Sequence, residues 1–184
     1  FIISPEKNLH NELLYFLAGF TKVESGERIY NNNHFKRDIC FLKNDMIYPS
    51  TAYDVIIGAQ RPGIFSFSKK KLLREHVLEC LEKTGAADCK DRKFSELSTG
   101  QKRRVLIAKA LFSVADTVFL ECPTESLDAP SAKNINILLK QSKKTVICSC
   151  LELSEALAFA DKILYCDYDG YFFGTPEEFM TLYS

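Results

Sequence analysis

The residues best placed to do chemistry lie where a predicted helix begins and where a predicted strand ends. Leu97-Ser98-Thr99-Gly100-Gln101 leads directly into an apolar helical pattern. A serine suits a helix N-cap, but capping does not require the glycine, and a hydroxyl beside a free N–H at a helix N-terminus can hold an anion. Glu121 and Cys122 follow the apolar run 117–120. A carboxylate can bind a hard cation, and a thiol can bind a soft metal or take part in redox chemistry.

Both segments resemble motifs of one family. Residues 97–101 are similar to the LSGGQ signature of ATP-binding cassette (ABC) ATPases, and residues 117–128 are similar to the Walker B strand and D-loop of that family. Other runs match in the family's order: 13–19 and 25–27 after its phosphate loop, and 160–164 and 174–178 at its C-terminal end. The resemblance covers nearly the whole chain. It implies that the family's front β-subdomain, with its adenine-stacking aromatic residue, is largely missing.

The resemblance also locates a phosphate loop. Residues 4–12 align with GxxGxGK[ST], which needs glycines so that backbone N–H groups can surround phosphate oxygens, a lysine for the β and γ phosphates, and a hydroxyl for Mg²⁺. This segment contains no glycine. Leu9, His10 and Asn11 stand at the positions of the last glycine, the lysine and the hydroxyl. We therefore expect a plain loop that leads into a helix, with a degenerate Walker A motif.

The family's remaining catalytic positions are replaced as well. In the alignment, Glu121 stands for the aspartate that orders Mg²⁺, and Cys122 for the glutamate that polarises water. Cys150 stands for the switch histidine, and Asn44 for the Q-loop glutamine. A thiol is a poor substitute for the carboxylate that acts as general base. The resemblance therefore implies a pseudo-ATPase, without a route to hydrolysis at its own site.

The two thiols allow a further hypothesis. If the fold is ABC-like, the strands before Cys122 and Cys150 are neighbours, so both thiols lie near the carboxyl ends of these strands. A redox pair or a soft-metal site is one interpretation. The other is that both are small, partly buried side chains that fill space.

Short apolar runs alternate with helical patterns along the chain. The strands are predicted at 1–3, 39–42, 117–120, 145–149 and 162–166, and the helices at 9–20, 71–84, 99–113, 131–141 and 153–160. Continuous apolar strands between helices favour an α/β fold, a mostly parallel sheet covered by helices. We predict one P-loop NTPase-like (ABC ATPase) domain over residues 1–184, with a turn at 31–33. The resemblance makes residues 45–110 a helical signature subdomain inserted in the core.

Composition excludes several classes of protein. The 24 basic and 24 acidic residues balance, so no net charge indicates nucleic acid as a partner. The longest apolar runs are too short to span a bilayer, and no signal peptide is visible. Seven cysteines without CxxC pairs favour reduced cytosolic thiols. Phe1 in place of methionine indicates a fragment, or a domain without its natural start.

The resemblance implies a degenerate nucleotide-binding subunit of an ABC transporter. In the family's head-to-tail dimer, one subunit's signature completes the other subunit's ATP site. ATP and Mg²⁺ are then expected only at a composite site with another ABC ATPase subunit, and not on the isolated chain. The contacts to ATP in trans are expected from the signature and the D-loop: Ser98, Thr99, Gly100, Gln101 and Asp128.

The second partner that the resemblance implies is a transmembrane permease, which places the chain on the cytoplasmic face of the membrane as a peripheral protein. Residues 45–56 occupy the stretch that meets the permease, with Tyr48, Pro49, Tyr53 and Ile56 as expected anchors. One alternative is a catalytically active ABC-type ATPase that energises transport through an unorthodox site. Another is a non-transport ABC relative, such as a translation factor or a chromosome-maintenance protein.

Overall fold

The computed structural model describes residues 1–6, 8–22, 25, 39–60 and 67–183. The predicted turn at 31–33 and two residues of the family resemblance, Gly26 and Glu27, lie outside these ranges. The elements follow in this order: β1 (Ile2–Ile3), α1 (Leu9–Ala18), β2 (Ile39–Leu42), α2 (Ala52–Ile57), α3 (Phe67–Lys83), two 3-10 turns (Ala87–Cys89 and Phe94–Glu96), α4 (Thr99–Phe112), β3 (Thr117–Leu120), α5 (Ala129–Gln141), β4 (Thr145–Cys148), α6 (Leu153–Phe159), β5 (Ile163–Cys166), β6 (Tyr171–Gly174) and α7 (Pro176–Tyr183).

The strands form two short sheets that meet at one bridge. Strands β2, β3 and β4 lie parallel in that order, and β1, β5 and β6 form the second sheet, in which only the β5–β6 pair is antiparallel. A bridge between Ile2 and Ser149 joins the sheets, and the Cys150 N–H donates to the Ile2 carbonyl at 2.9 Å. The predicted mostly parallel α/β fold is confirmed. The carboxyl ends of β1 to β4 therefore lie at one edge, where open α/β sheets commonly bind ligands.

Helices cover both faces of the sheets. On β3, Val118 and Leu120 belong to the main core under α2, α3, α4 and α5, whereas Phe119 faces the opposite side. There Phe119 packs with Leu14 and Ala18 of α1, two residues that lie one turn apart on one face of the helix. Strands buried on both faces explain why the run 117–120 is apolar without alternation.

Helix α2, strand β6 and helix α7 were not predicted, and several helix ends differ from the prediction. Helix α2 is only six residues long, β6 is an edge strand, and α7 completes the described chain. The α3 helix begins at Phe67, before the predicted start. The α1 helix ends earlier than predicted because Gly19 adopts a left-handed φ of 89°, and its N–H donates back to the Phe16 carbonyl.

A cavity of about 380 Å³ lies where the two sheets separate. The edge of β4 that faces away from β3 lies next to β1. Among the described residues, only Ser149, which directly follows β4, pairs with β1. Below that bridge the sheets part, and the lining is mainly apolar: Phe1, Leu17, Val146, Leu164 and Phe173. The bridge is thus the sole backbone pairing between the sheets in the ranges that the structure describes.

Candidate functional site

The carboxyl edge of the sheet gathers the residues that the sequence aligned with a nucleotide site. The loop between β1 and α1 leads to Asn8, which adopts a left-handed φ of 67°. The N–H groups of Asn11 and Glu12 both donate to the Asn8 carbonyl, each at 3.0 Å. The described residues thus form a loop followed by a helix, in which the Asn11 and Glu12 N–H groups bond to the backbone of the chain itself.

His10, at the aligned position of the phosphate-binding lysine, is buried. Its Nδ1 has no hydrogen-bond partner within the described residues. Burial lowers the pKa of the His10 imidazole, although the charges of Glu121 and Glu125 oppose this shift. His10 is therefore neutral at physiological pH and does not supply the positive charge that a lysine would.

The Glu121 carboxylate is held by two protein donors. The Tyr15 hydroxyl donates to Oε1 at 2.7 Å, and the Asn44 backbone N–H donates to Oε2 at 2.9 Å. Burial, together with the bond to Glu121, raises the pKa of the Tyr15 phenol, so the phenol remains a donor. The structure thus brings two of the predicted site residues, Asn44 and Glu121, into direct contact.

A second carboxylate, Glu125, extends this contact to helix α4. Its Oε2 accepts from the Asn44 side-chain amide at 3.1 Å and from the Arg103 guanidinium at 3.2 Å. Arg103 also donates to the Glu121 carbonyl at 3.0 Å, and its side chain is only 7% exposed. Burial lowers the pKa of this guanidinium, and the nearby carboxylates counteract the shift.

Beside Tyr15 and Glu121 lies a cavity of about 350 Å³ with acidic walls. Carboxylates line it from three segments: Glu12, Asp45 and Glu121. Its cation, Lys43, pairs with Asp45 at 2.9 Å. Within the described residues, no group of three or more His, Cys, Asp or Glu side chains is arranged to hold a metal ion.

Cys122 and Cys150 make hydrogen bonds to different partners. Cys122 adopts a left-handed φ of 36°, and its N–H donates to the Ser149 hydroxyl at 3.0 Å. Ser149 in turn donates to the Asn11 amide oxygen at 2.6 Å. The Cys150 thiol instead donates to the Glu155 carboxylate at 3.3 Å. Both cysteines are free and buried, so the geometry favours the space-filling interpretation over the redox pair.

Glu155, at the start of α6, connects three further segments. Its Oε1 accepts from the Thr124 hydroxyl and from the Asn136 amide, each at 2.6 Å. Asn136 is buried on α5, and Cys150 reaches the other carboxylate oxygen. The loop after β3 is therefore held from both sides, by Glu155 here and by Arg103 through Glu125.

We expect the thiols to be chemically inert in the folded chain. Burial raises the pKa of Cys122 to about 11 and raises the pKa of Cys150 as well. At about pH 8 only about one Cys122 in a thousand is then a thiolate, the reactive form. Alkylation of both thiols should be at least about tenfold slower than in the unfolded chain, as measured by mass spectrometry of peptides. Rapid native labelling, or a disulfide between the two, would contradict the space-filling interpretation.

The predicted signature begins helix α4 at the surface. Ser98 is an exposed N-cap whose hydroxyl accepts from the Gln101 N–H at 3.3 Å, while the Gln101 side chain accepts from the Ser98 N–H at 3.1 Å. This capping box leaves the hydroxyl proton of Ser98 available, because a hydroxyl can accept and donate at once. A Cβ at Gly100 would lie 3.3 Å from the Ser126 carbonyl, so the loop after β3 approaches the helix closely at that point.

The other predicted signature and D-loop residues lie beside this helix start. Thr99 is exposed in the first turn of α4. Asp128 caps α5, because its carboxylate accepts from the Ser131 N–H at 2.9 Å. Arg104 on α4 donates to the Ser131 hydroxyl at 2.7 Å and lies 3.6 Å from Asp128. The structure therefore joins the signature helix to the residues aligned with the D-loop.

Of the four expected docking anchors, Pro49 is exposed, whereas the other three pack against the core. Ile56 is fully buried in the core, so its prediction as a surface anchor is wrong. Tyr48 packs edge-on against Phe94, and its hydroxyl accepts from Lys109 at 2.7 Å. Tyr53 is half-buried against the same core. The large apolar side chain that this stretch exposes among the described residues is Ile47, at 87%.

Several residues of this edge carried no signal that sequence reasoning used. Tyr15 and Glu121 are 106 positions apart, and Arg103 and Glu125 are 22 apart. Glu155 follows Cys150 by five residues, but its two short contacts lie on other elements. The sequence alone indicates only that Glu121 and Glu125 lie close together in one loop.

Family comparison agrees with the predicted motifs. The sequence model of the family described as ABC transporter matches residues 12–125 of this chain. Zinc transport system ATP-binding protein TroB of Treponema pallidum (strain Nichols) is 29% identical over 181 residues, which cover 89% of this chain and 65% of TroB. Molybdenum import ATP-binding protein ModC of Mycobacterium tuberculosis (strain H37Rv) is 27% identical over 89% of this chain and 49% of ModC. The chain thus spans about half to two thirds of the length of these relatives.

Solved structures agree on the fold. The structure of cbiO1 from Clostridium perfringens, part of the ABC transporter complex cbiONQ, aligns with 98% of this chain and with 78% of its own chain. The TM-score is 0.76 and the sequence identity is 22%. A dimeric post-hydrolysis state of the ATP-binding cassette MJ0796, bound to ADP and Pi, covers 90% of this chain and is covered to 79%, with a TM-score of 0.75 and 24% identity. The strand order and the signature helix agree with the family match. This chain therefore belongs to the ABC transporter ATP-binding family.

Proposed function

We propose that this chain is a nucleotide-binding subunit of an ABC transporter that lends its signature to a competent partner and has no hydrolytic site of its own. The observation that carries the proposal is a contrast between two places in one chain. At the start of α4, Ser98 is exposed and its hydroxyl keeps a proton to donate to an anion, although the Gln101 N–H is used by the capping box. At the carboxyl edge, Glu121 and Asn11 accept hydrogen bonds from Tyr15, Asn44 and Ser149 of the chain itself.

The residues at the carboxyl edge do not fit a triphosphate and its magnesium ion. The loop has no glycine, and the neutral His10 takes the place of the lysine. Asn11, at the position of the magnesium-binding hydroxyl, accepts from Ser149 instead. The adjoining cavity has carboxylate walls, which repel phosphate oxygens. These features support a degenerate site, and we derive no chemical step through a nucleotide bound there.

The partners in this proposal are a second cassette and a permease. The relatives are named as ATP-binding proteins of transport systems for zinc, manganese and molybdenum, so their names agree on transport and differ on the cargo. None of the helices in the described ranges is long and apolar enough to cross a membrane. The permease in this proposal would meet the docking stretch, where Ile47 is the exposed apolar contact.

Reconstitution tests the proposal. The complex of this chain with a competent cassette should hydrolyse ATP, whereas this chain alone should show no turnover above background. The variant Cys150→Ser should leave the turnover of the complex unchanged, because a serine hydroxyl can keep the bond to Glu155 and the switch position carries no chemistry here. Turnover by the isolated chain that Cys150→Ser reduces would instead favour the alternative, an active ATPase with an unorthodox site.

A further inference from the structure

Five polar side chains connect four separate parts of the chain at the carboxyl edge. Tyr15 lies on α1, Asn44 follows β2, Glu121 and Glu125 follow β3, and Arg103 lies on α4. Each of the two carboxylates accepts from two different segments: Glu121 from Tyr15 and Asn44, and Glu125 from Asn44 and Arg103. The network is therefore continuous from α1 to α4.

We propose that these five residues form a clamp that fixes the segment after β2 and helix α4 to the carboxyl edge of the sheet in one arrangement, without any ligand. The segment after β2 is held twice, through the Asn44 backbone N–H and through its side-chain amide. Helix α4 is held through Arg103, and it packs in turn against α2 and α3. The helices α2 to α4 consequently share one fixed position on the sheet.

Burial and charge strengthen the clamp at Arg103. The Arg103 guanidinium is almost fully buried, and such a charge is tolerated only when it is paired. Its partners are the Glu125 carboxylate and the Glu121 carbonyl, so a displacement of α4 would leave a cation without acceptors. Hydrogen bonds to charged groups are stronger than those between neutral groups, and every side-chain bond of the clamp ends on a carboxylate or begins on the guanidinium.

The bonds that connect these four parts of the chain all join groups of the chain itself, so the connection exists without a bound ligand. The clamp requires only contacts within the chain, and it goes beyond the proposed function, since a rigid edge does not depend on any partner.

Amide hydrogen exchange of the full chain, followed by NMR without nucleotide, tests the clamp at one atom pair. The Asn44 N–H should be protected in the wild type, and Glu121→Gln should speed its exchange by about tenfold or more, because a charged acceptor is lost. Tyr15→Phe, which removes one hydroxyl, should also speed exchange at Asn44. The matched control is Tyr48→Phe, which removes a hydroxyl that bonds to Lys109 outside the clamp and should leave Asn44 unchanged.

Three outcomes would overturn the clamp: an unprotected Asn44 N–H in the wild type, equal exchange in Glu121→Gln and the wild type, or equal effects of Tyr15→Phe and Tyr48→Phe. Millimolar MgATP should change exchange at Asn44 by less than about twofold. Protection that arises only when MgATP is added would contradict the clamp and the degenerate site together. Loss of protection in Glu121→Gln with no response to MgATP would support the clamp even if no partner cassette is found.

Discussion

Replacing Ser98 with aspartate is expected to lower ATP hydrolysis by the complex with a competent cassette by about a hundredfold or more, the usual cost of removing one preorganised donor from a reacting oxyanion. An aspartate at this position still caps α4, because its carboxylate can accept from the Gln101 N–H as the hydroxyl does. The fold should therefore persist. The added negative charge, however, would face the γ-phosphate of the partner's ATP and repel it.

Ser98→Asn is the matched control for this prediction. Asparagine has the size of aspartate and also caps helices, but it carries no charge. We expect both variants to melt within a few degrees of the wild type, and the asparagine variant to retain at least about tenfold more turnover than the aspartate variant. Equal turnover by both variants in an intact complex would reduce Ser98 to a helix cap and refute the composite site.

The isolated chain is expected to bind MgATP no more tightly than millimolar. Each charge-assisted contact contributes about 1.5–3 kcal/mol, and the aligned lysine, hydroxyl and glycines are all replaced. A dissociation constant of 1 mM corresponds to a binding free energy of only about −4 kcal/mol. The loss of several contacts would therefore weaken a tight site to millimolar affinity. Isothermal titration calorimetry checks this, with a competent cassette measured in the same buffer as the positive control.

A micromolar dissociation constant would show that the carboxyl edge can open and bind nucleotide. Competition by ADP would then show how much of the affinity depends on the γ-phosphate. In that case the degenerate site would be refuted as a site that does not bind nucleotide, and the clamp would have to release Asn44. Turnover measured on the same preparation separates binding from hydrolysis.

The elements that the sequence predicted well are those whose signals are local. Ser98 and the apolar pattern after it specify α4, and an unbroken apolar run specifies β3 because both faces of that strand are buried. A similar local signal marks the start of α7. Thr175 and Glu178 form a reciprocal cap, in which the Thr175 N–H donates to Glu178 at 2.6 Å. Helix α2, at six residues, is too short for a helical period to stand out.

The carboxyl edge was only partly predictable, because its geometry depends on contacts between distant segments. The sequence identified Glu121 and Asn44 as replaced catalytic positions, and the structure places them together. It gave no indication that Tyr15 would reach Glu121, or that a buried Arg103 would pair with Glu125. The prediction of the docking residues was wrong at Ile56 for a related reason. The sequence does not show whether an aromatic or apolar side chain packs inward, as Ile56 does, or outward, as Ile47 does.

The single bridge between the two sheets has a consequence for how the molecule unfolds. The β3–β4 ladder joins four residue pairs, whereas the two halves of the sheet share only the pairing of Ile2 with Ser149 within the described residues. Side-chain packing must then supply most of the cooperativity between the halves. Helix α1 supplies part of it, because Leu14 lies in one buried cluster with Ile2 of one half and Phe119 of the other. We expect partial unfolding to follow this seam, so that β5, β6 and α7 open as one unit once α1 detaches, while β2, β3 and β4 stay folded.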